Sequence, residues 1–246
     1  MGRIAVGLFL LVVFCTSWKA INYGSQQAKD MVIFYPLNEQ GGLVAYDYYI
    51  NNNNKDTLRG NAIYKGGAIE LDGSGDFVSV LPNSRHVISD RFTISLWMWA
   101  ANLTQSSKHL FSKVNAGFTD NNYAILWEYA GEPDQVSFYA GGYSGTNPRT
   151  GSQMTIPSAN VWHHVVYTYN GANLRGYLNG VLKINVSTTF SLSTATNSFL
   201  SLGGNYQFGN QFAGRLKDIR MYNRGLASEE VMSLFLFPNL IYAKSK

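Results

Sequence analysis

Residues 160–183 read NVWHHVVYTYNGANLRGYLNGVLK. Trp162 to Tyr169 is dense in β-branched and aromatic residues, the composition of a strand. Asn170-Gly171 follows, then a second run, Leu174 to Leu178, then Asn179-Gly180 and a third run opening at Val181. Asn and Gly enter the left-handed region at low cost, so each dipeptide marks a tight reversal between neighbouring strands. Two reversals in so short a span make an antiparallel meander. The same two breaks disfavour a helix, and the stretch reads as part of an all-β protein.

Outward from the meander the pattern holds. Phe92 to Trp99 alternates: Phe92, Ile94, Leu96 and Met98 share one face, Thr93, Ser95, Trp97 and Trp99 the other. The first set is expected in the core. Trp97 and Trp99 have two readings, an open platform that stacks on a sugar ring or a pair covered by loops, and the central place of the strand favours cover. His163 and His164 are neighbours on one strand, so they face opposite sides and cannot jointly chelate a metal. Asp72-Gly73-Ser74-Gly75-Asp76 is a turn whose carboxylates either cap the turn or bind calcium. Ala227 to Leu234 is the one helical stretch, with Ser228 as N-cap, Glu229 and Glu230 in its first turn and Pro238 beyond its end.

Composition narrows the class. The chain has 246 residues, 46% hydrophobic and 14% charged, with net charge +4. There is material for one large core, and no basic block of the kind a nucleic-acid surface needs. Arg3 followed by the apolar run Ile4–Phe14 reads as a secretory leader, too short for a membrane span, with small residues Cys15 and Ser17 before a cut at Trp18. A retained N-terminal anchor is the alternative. The expected organisation is a leader at 1–17, a linker at 18–30, one domain at 31–238 and a tail at 239–246. Cys15 is the only cysteine, so the mature domain relies on its core rather than on disulfides. Asn102-Leu103-Thr104 and Asn185-Val186-Ser187 are acceptors for N-glycosylation if the chain is secreted.

Five stretches in order resemble the laminin-G-like, concanavalin A-like jelly-roll superfamily: Ala68–Val80, Phe92–Trp97, Leu110–Lys113, the meander itself and Phe212–Leu226. The resemblance spans Met31 to Phe237. It implies a jelly-roll β-sandwich of two antiparallel sheets, to which the sequence adds one short C-terminal helix. It also implies a structural calcium ion near the final strand, with Asp218 at the ligand position, although Lys217 stands where a further Asp is common. Phe118–Tyr129 is similar to pentraxins locally, which would make Asp120 and Asn121 calcium ligands. The later loop, Leu202 to Gln207, offers only amides where pentraxins supply acids. Such a fold hosts lectins, glycosidases and adhesion modules, so fold alone does not give function.

The residues point toward binding rather than catalysis. No Glu-x-Asp-x-Glu strand motif, Gly-x-Ser-x-Gly elbow or His-Glu-x-x-His helix occurs. The first expectation is a secreted, lectin-like module for glycans or glycoproteins, assisted by calcium if those Asp residues bind it. Trp127 is expected to stack on a sugar, Glu128 and Arg149 to bond hydroxyls or carboxylates, and Tyr143 to line the loop that carries Arg149. The alternative is an extracellular adhesion protein that binds other proteins. Neither has a nucleic-acid partner or, after leader cleavage, a membrane span.

Overall fold

The computed structural model describes residues 28–49, 55–88, 90–113, 123–127, 134–140, 151–190, 192, 198–206 and 209–239. Two antiparallel eight-stranded sheets face each other. The first sheet runs β14 (Val181–Ser187), β13 (Asn173–Leu178), β12 (Trp162–Tyr169), β7 (Phe92–Ala100), β16 (Ala213–Tyr222), β5 (Ile69–Asp72) and β4 (Ile63–Tyr64). β1 (Met31–Tyr35) also pairs with β16. The second sheet runs β11 (Met154–Thr155), β10 (Gln135–Ala140), β9 (Tyr123–Trp127), β8 (Lys108–Lys113), β15 (Leu200–Leu202), β6 (Phe77–Val80), β3 (Lys55–Arg59) and β2 (Val44–Tyr46). This is the all-β jelly-roll sandwich expected from the sequence. Among the described residues no helix is long and apolar enough to cross a membrane.

The meander forms as its residues dictate. Leu178 pairs with Val181 across Asn179-Gly180, where φ is 52° and 77°. Two successive positive φ values are what a two-residue type I′ hairpin requires. At the other reversal the Asn170 side chain accepts from the backbone N–H groups of Ala172 (3.1 Å) and Asn173 (2.8 Å), an Asx-type loop.

The core lies between the sheets. Phe92, Ile94, Leu96 and Met98 are all fully buried in it, as their alternation requires. From the facing sheet come Phe111, Ile125, Trp127 and Phe138. A smaller second cluster lies outside the first sheet, beneath helix α1 (Ser228–Leu236). Val231 and Leu234 of α1 pack on Phe34, Val166, Tyr177 and Tyr222. Ala227, not Ser228, is the N-cap. Its N–H donates to Glu230 at 2.9 Å, while the Ser228 hydroxyl meets Tyr177 Oη at 3.1 Å. Glu230 also holds Arg224 at 2.7 Å, fixing the chain entering the helix. So, among the described residues, α1 covers part of the outer face of the first sheet and leaves the rest open.

Candidate functional site

The open part is built by the pairing register of four strands. Trp162 of β12 stands opposite Trp99 of β7, Trp99 opposite Arg215 of β16, and Arg215 opposite Glu70 of β5. The next row places His164 opposite Trp97 and Trp97 opposite Lys217. Their strand neighbours Val165, Met98, Leu216 and Ile69 are fully buried between the sheets, so these residues point away from the core. Trp97, Trp99 and Trp162 are each partly exposed. Three of the five tryptophans therefore share one outer face.

Charge is arranged over the indoles. The Arg215 guanidinium carbon lies 4.9 Å from the Trp99 ring centre, and Lys217 Nζ lies 4.2 Å from that of Trp162 and 5.7 Å from that of Trp97. Such contacts favour a cation over the ring face. Glu70 is gripped from two sides, by Lys65 Nζ at 2.8 Å and by Arg215 Nη2 at 2.6 Å. The Lys65 bond, with Arg215 adding to it, holds the Glu70 carboxyl below the usual carboxylate range. Burial pulls the Lys217 ammonium down from its ordinary value, and the neighbouring Asp218 opposes that pull. Trp97 is backed on the helix side by Phe235, stacked at 5.6 Å, and by the ring of His164 at 5.1 Å. His164 is fully buried, bonded to Ser95 Oγ at 2.8 Å, and burial drops its pKa to about 3. It is a neutral packing residue, and His163 is buried against the Ser158 carbonyl at 3.0 Å.

Beside this face β16 is interrupted. Its register shifts between Lys217 and Arg220, and Asp218 sits at φ 50°. β5 pairs along β16 up to Leu216 and β1 from Ile219 onward, so the bulge falls where one neighbour gives way to the other. A cleft of about 520 Å³ opens there, with Trp97, Lys217, Gly66, Gly67, Pro36 and Phe235 among its lining.

Asp218 does not fit the calcium ligand that the sequence resemblance implies. Its two carboxylate oxygens accept from Arg220 Nε (2.6 Å) and Nη2 (3.0 Å). The Arg220 side chain is 1% exposed and also donates to the Pro238 carbonyl and lies over the Phe34 ring. Both Asp218 oxygens are thus engaged by a buried guanidinium. Among the described residues no three His, Cys, Asp or Glu side chains converge as a metal set. The Asp72–Asp76 turn is a capping turn: Asp76 accepts from the backbone of Asn61 (2.7 Å) and Asp72 (2.9 Å), and Asp72 accepts from Ser74 (2.7 Å).

Trp127 also departs from expectation. It is fully buried, facing Phe212 across the core at 6.0 Å, so it offers no surface to a sugar. The period-2 alternation of β9 puts it inward with Tyr123 and Ile125. Glu128, Tyr143, Arg149, Asp120 and Asn121 lie outside the described residues. Asn102 and Asn185 are both exposed. Trp162, Arg215 and Glu70 were not singled out from the sequence, and Lys217 was noted only as the neighbour of the expected calcium ligand Asp218. The only signal for them was the Trp97/Trp99 spacing, because the register that brings the others alongside is a property of the folded sheet.

The concanavalin A-like lectin/glucanases superfamily model, of laminin G type, matches residues 72–232, more than half of the chain. No curated protein matches it in sequence. Among solved structures it is similar to domain 4 of AbnA, an extracellular GH43 arabinanase from Geobacillus stearothermophilus, determined with arabinotriose. The TM-score is 0.66 at 20% identity, covering 83% of this chain and 98% of that one. It is also similar to Trypanosoma rangeli sialidase in complex with sialic acid, at TM-score 0.63 and 16% identity, covering 95% of this chain but 39% of that one. The binding domain of botulinum neurotoxin serotype D gives a TM-score of 0.61 at 14% identity, covering 87% of this chain and 52% of that one. These likenesses agree with the sandwich described above, and with the family match they lead to one statement: the chain belongs to the concanavalin A-like lectin/glucanases superfamily.

Proposed function

We propose that this protein is a secreted, non-catalytic carbohydrate-binding module whose sugar lies on the open outer face of the first sheet. The observation that carries the reading is the cluster of three partly exposed indoles, Trp97, Trp99 and Trp162, set among Lys217, Arg215 and Glu70. Flat aromatic faces stack on the C–H side of a pyranose or furanose ring, and the charged side chains supply hydrogen bonds to hydroxyls. The domain 4 structure solved with arabinotriose shares the fold and supports a sugar ligand in general terms. The reading routes nothing through calcium at Asp218, whose oxygens serve Arg220.

A glycan array with the full chain, run with calcium and again with a chelator, tests the reading. Binding to a defined glycan set is expected in both conditions, with Trp99→Ala and Trp162→Ala each weakening it by about tenfold while the domain stays folded. A folded protein that binds no glycan contradicts the reading.

A second reading rests on a different surface. β2 and β4 end the two sheets at one edge, joined by Tyr64 Oη donating to the Val44 carbonyl at 2.8 Å. Leu43, Tyr46, Tyr48, Tyr49 and Ile63 are exposed there. Clustered exposed aromatic and aliphatic side chains of this kind suit a protein partner. Substitution of Tyr48 and Ile63 by Ser separates the two readings, because it leaves glycan binding intact and removes any protein association.

A further inference from the structure

Among the described residues, the proposed sugar site contains one cation, Lys217, that touches no carboxylate, although the charge of Asp218 reaches it. Among the charged groups on the open face, Glu70 pairs with both Lys65 and Arg215 through two short contacts, which leaves that trio with one net positive charge. Asp218, next to Lys217 in the chain, is turned to Arg220. His164, under Trp97, is neutral. Lys217 is left with two indole faces and, among the described residues, no carboxylate within ion-pair distance. It lines the cleft at the bulge in β16 together with Asp218, so the ammonium is reachable from that cleft.

A half-buried ammonium whose acidic neighbour is turned to another cation is a receptor for an anion. The indoles on either side fix what else that anion must carry. Trp97 and Trp162 offer flat apolar surface within reach of Nζ, which a bare ion does not use and a ring does. Trp162 on β12 and Glu70 on β5 are three strand spacings apart, across β7 and β16, a width of about 14 Å at ordinary strand spacing. That width holds two or three sugar rings laid across the strands. We infer that the ligand of this face is an acidic oligosaccharide whose carboxylate or sulfate group pairs with Lys217 while its rings stack on Trp99 and Trp162. This inference rests on the carbohydrate reading above and adds to it the charge of the sugar and the residue that reads it.

The ligand charge explains two further features. Gly66 and Gly67 line the cleft opposite Lys217, and a Cβ placed on either glycine meets no atom within 4 Å. The cleft therefore has free depth on that side for a group projecting from a ring. Glu70, clamped between two cations, presents only spent acceptors, so a second carboxylate does not repel the incoming anion with its full charge.

The test uses three probes of one length: a trimer of galacturonic acid, the same trimer with its carboxylates methyl-esterified, and a trimer of sulfated galactose. Affinities are measured by calorimetry on the full chain at low and at physiological salt. The acid or the sulfated trimer is expected to bind at least about tenfold tighter than the neutral ester, the step that one charge-assisted contact provides. Which of the two binds tighter distinguishes a carboxylate from a sulfate ligand. Lys217→Gln is expected to bring the anionic trimers to within about twofold of the ester, whereas Lys217→Arg retains the preference. Trp99→Ala is expected to weaken all three probes alike. Thermal unfolding of each variant shows that the domain is intact, since Lys217 makes no ion pair that the fold depends on. Binding of both anionic trimers no tighter than the ester, or an unchanged preference in Lys217→Gln, overturns the inference and leaves the carbohydrate reading standing. Binding of none of the three, together with an empty glycan array, overturns both.

Discussion

Replacing Arg220 by Met tests the account of the bulge in β16 most sharply. Arg220 and Asp218 form a two-point ion pair at 2.6 and 3.0 Å, and the arginine side chain is 1% exposed. Methionine fills much of the same volume and keeps the packing on Phe34. It leaves Asp218 as a nearly buried carboxylate with no cation beside it. Breaking a buried pair from one side costs about 3–5 kcal/mol, because the remaining charge loses its partner and does not regain water. That is a large share of a typical domain stability of about 5–15 kcal/mol. Burial already pushes the Asp218 carboxyl above its ordinary value, with Arg220 opposing. Without Arg220 the folded-state pKa rises further above the unfolded one. The folded variant then binds a proton that the unfolded chain releases, so its stability falls as pH rises from the ordinary carboxylate range through the raised pKa. Urea unfolding followed by tryptophan fluorescence at pH 7 and pH 4.5 should show a larger loss at pH 7. Adding Asp218→Asn should recover part of it. A loss below about 1 kcal/mol at pH 7, or the same loss at both pH values, refutes the reasoning.

Other expectations follow from the same structure. Trp127→Ala removes a fully buried indole and should cost about 3–5 kcal/mol in chemical unfolding, while glycan affinity per folded molecule stays unchanged. Gly214→Ala should destabilise by more than about 2 kcal/mol, because its Cβ would lie 2.2 Å from the Trp99 carbonyl oxygen and 2.6 Å from the Phe212 ring. Burial lowers the pKa of His86 and His109 to about 4 and that of His164 to about 3. The unfolded chain binds these protons first, so stability should fall as pH drops from about 6.5 toward 4, each fully shifted unit contributing about 1.4 kcal/mol. Imidazole resonances that titrate near pH 6.5 at these three positions would contradict it. Expressed through a glycosylating secretory route, the chain should gain glycan mass at the exposed Asn102 and Asn185, lost in Asn→Gln variants.

The sequence was most informative where local chemistry decides structure. The Asn179-Gly180 turn, the inward set Phe92, Ile94, Leu96 and Met98, and the late helix are all consequences of short-range rules. The site was less legible, because it depends on which strands become neighbours. Trp162 and Arg215 are far apart in the chain, yet both flank Trp99, on β12 and β16. Nothing local to either says so. Trp127 misled for the converse reason: a tryptophan before a loop suits a rim, but its parity along β9 turns it to the core. Asp218 stands at the position the family pattern indicates. Its chemistry was set by Arg220, which the bulge brings to the same place.

The central claim is that sugar binds on the outer face of the first sheet. Its most direct measurement is a titration of the folded chain with a glycan taken from the array, followed through the indole N–H resonances of Trp97, Trp99, Trp127 and Trp162. The account predicts that the Trp99 and Trp162 signals shift with saturating ligand, that Trp97 follows, and that Trp127 stays fixed in the core. Saturable binding that leaves those three signals in place and moves residues of the second sheet instead would contradict it.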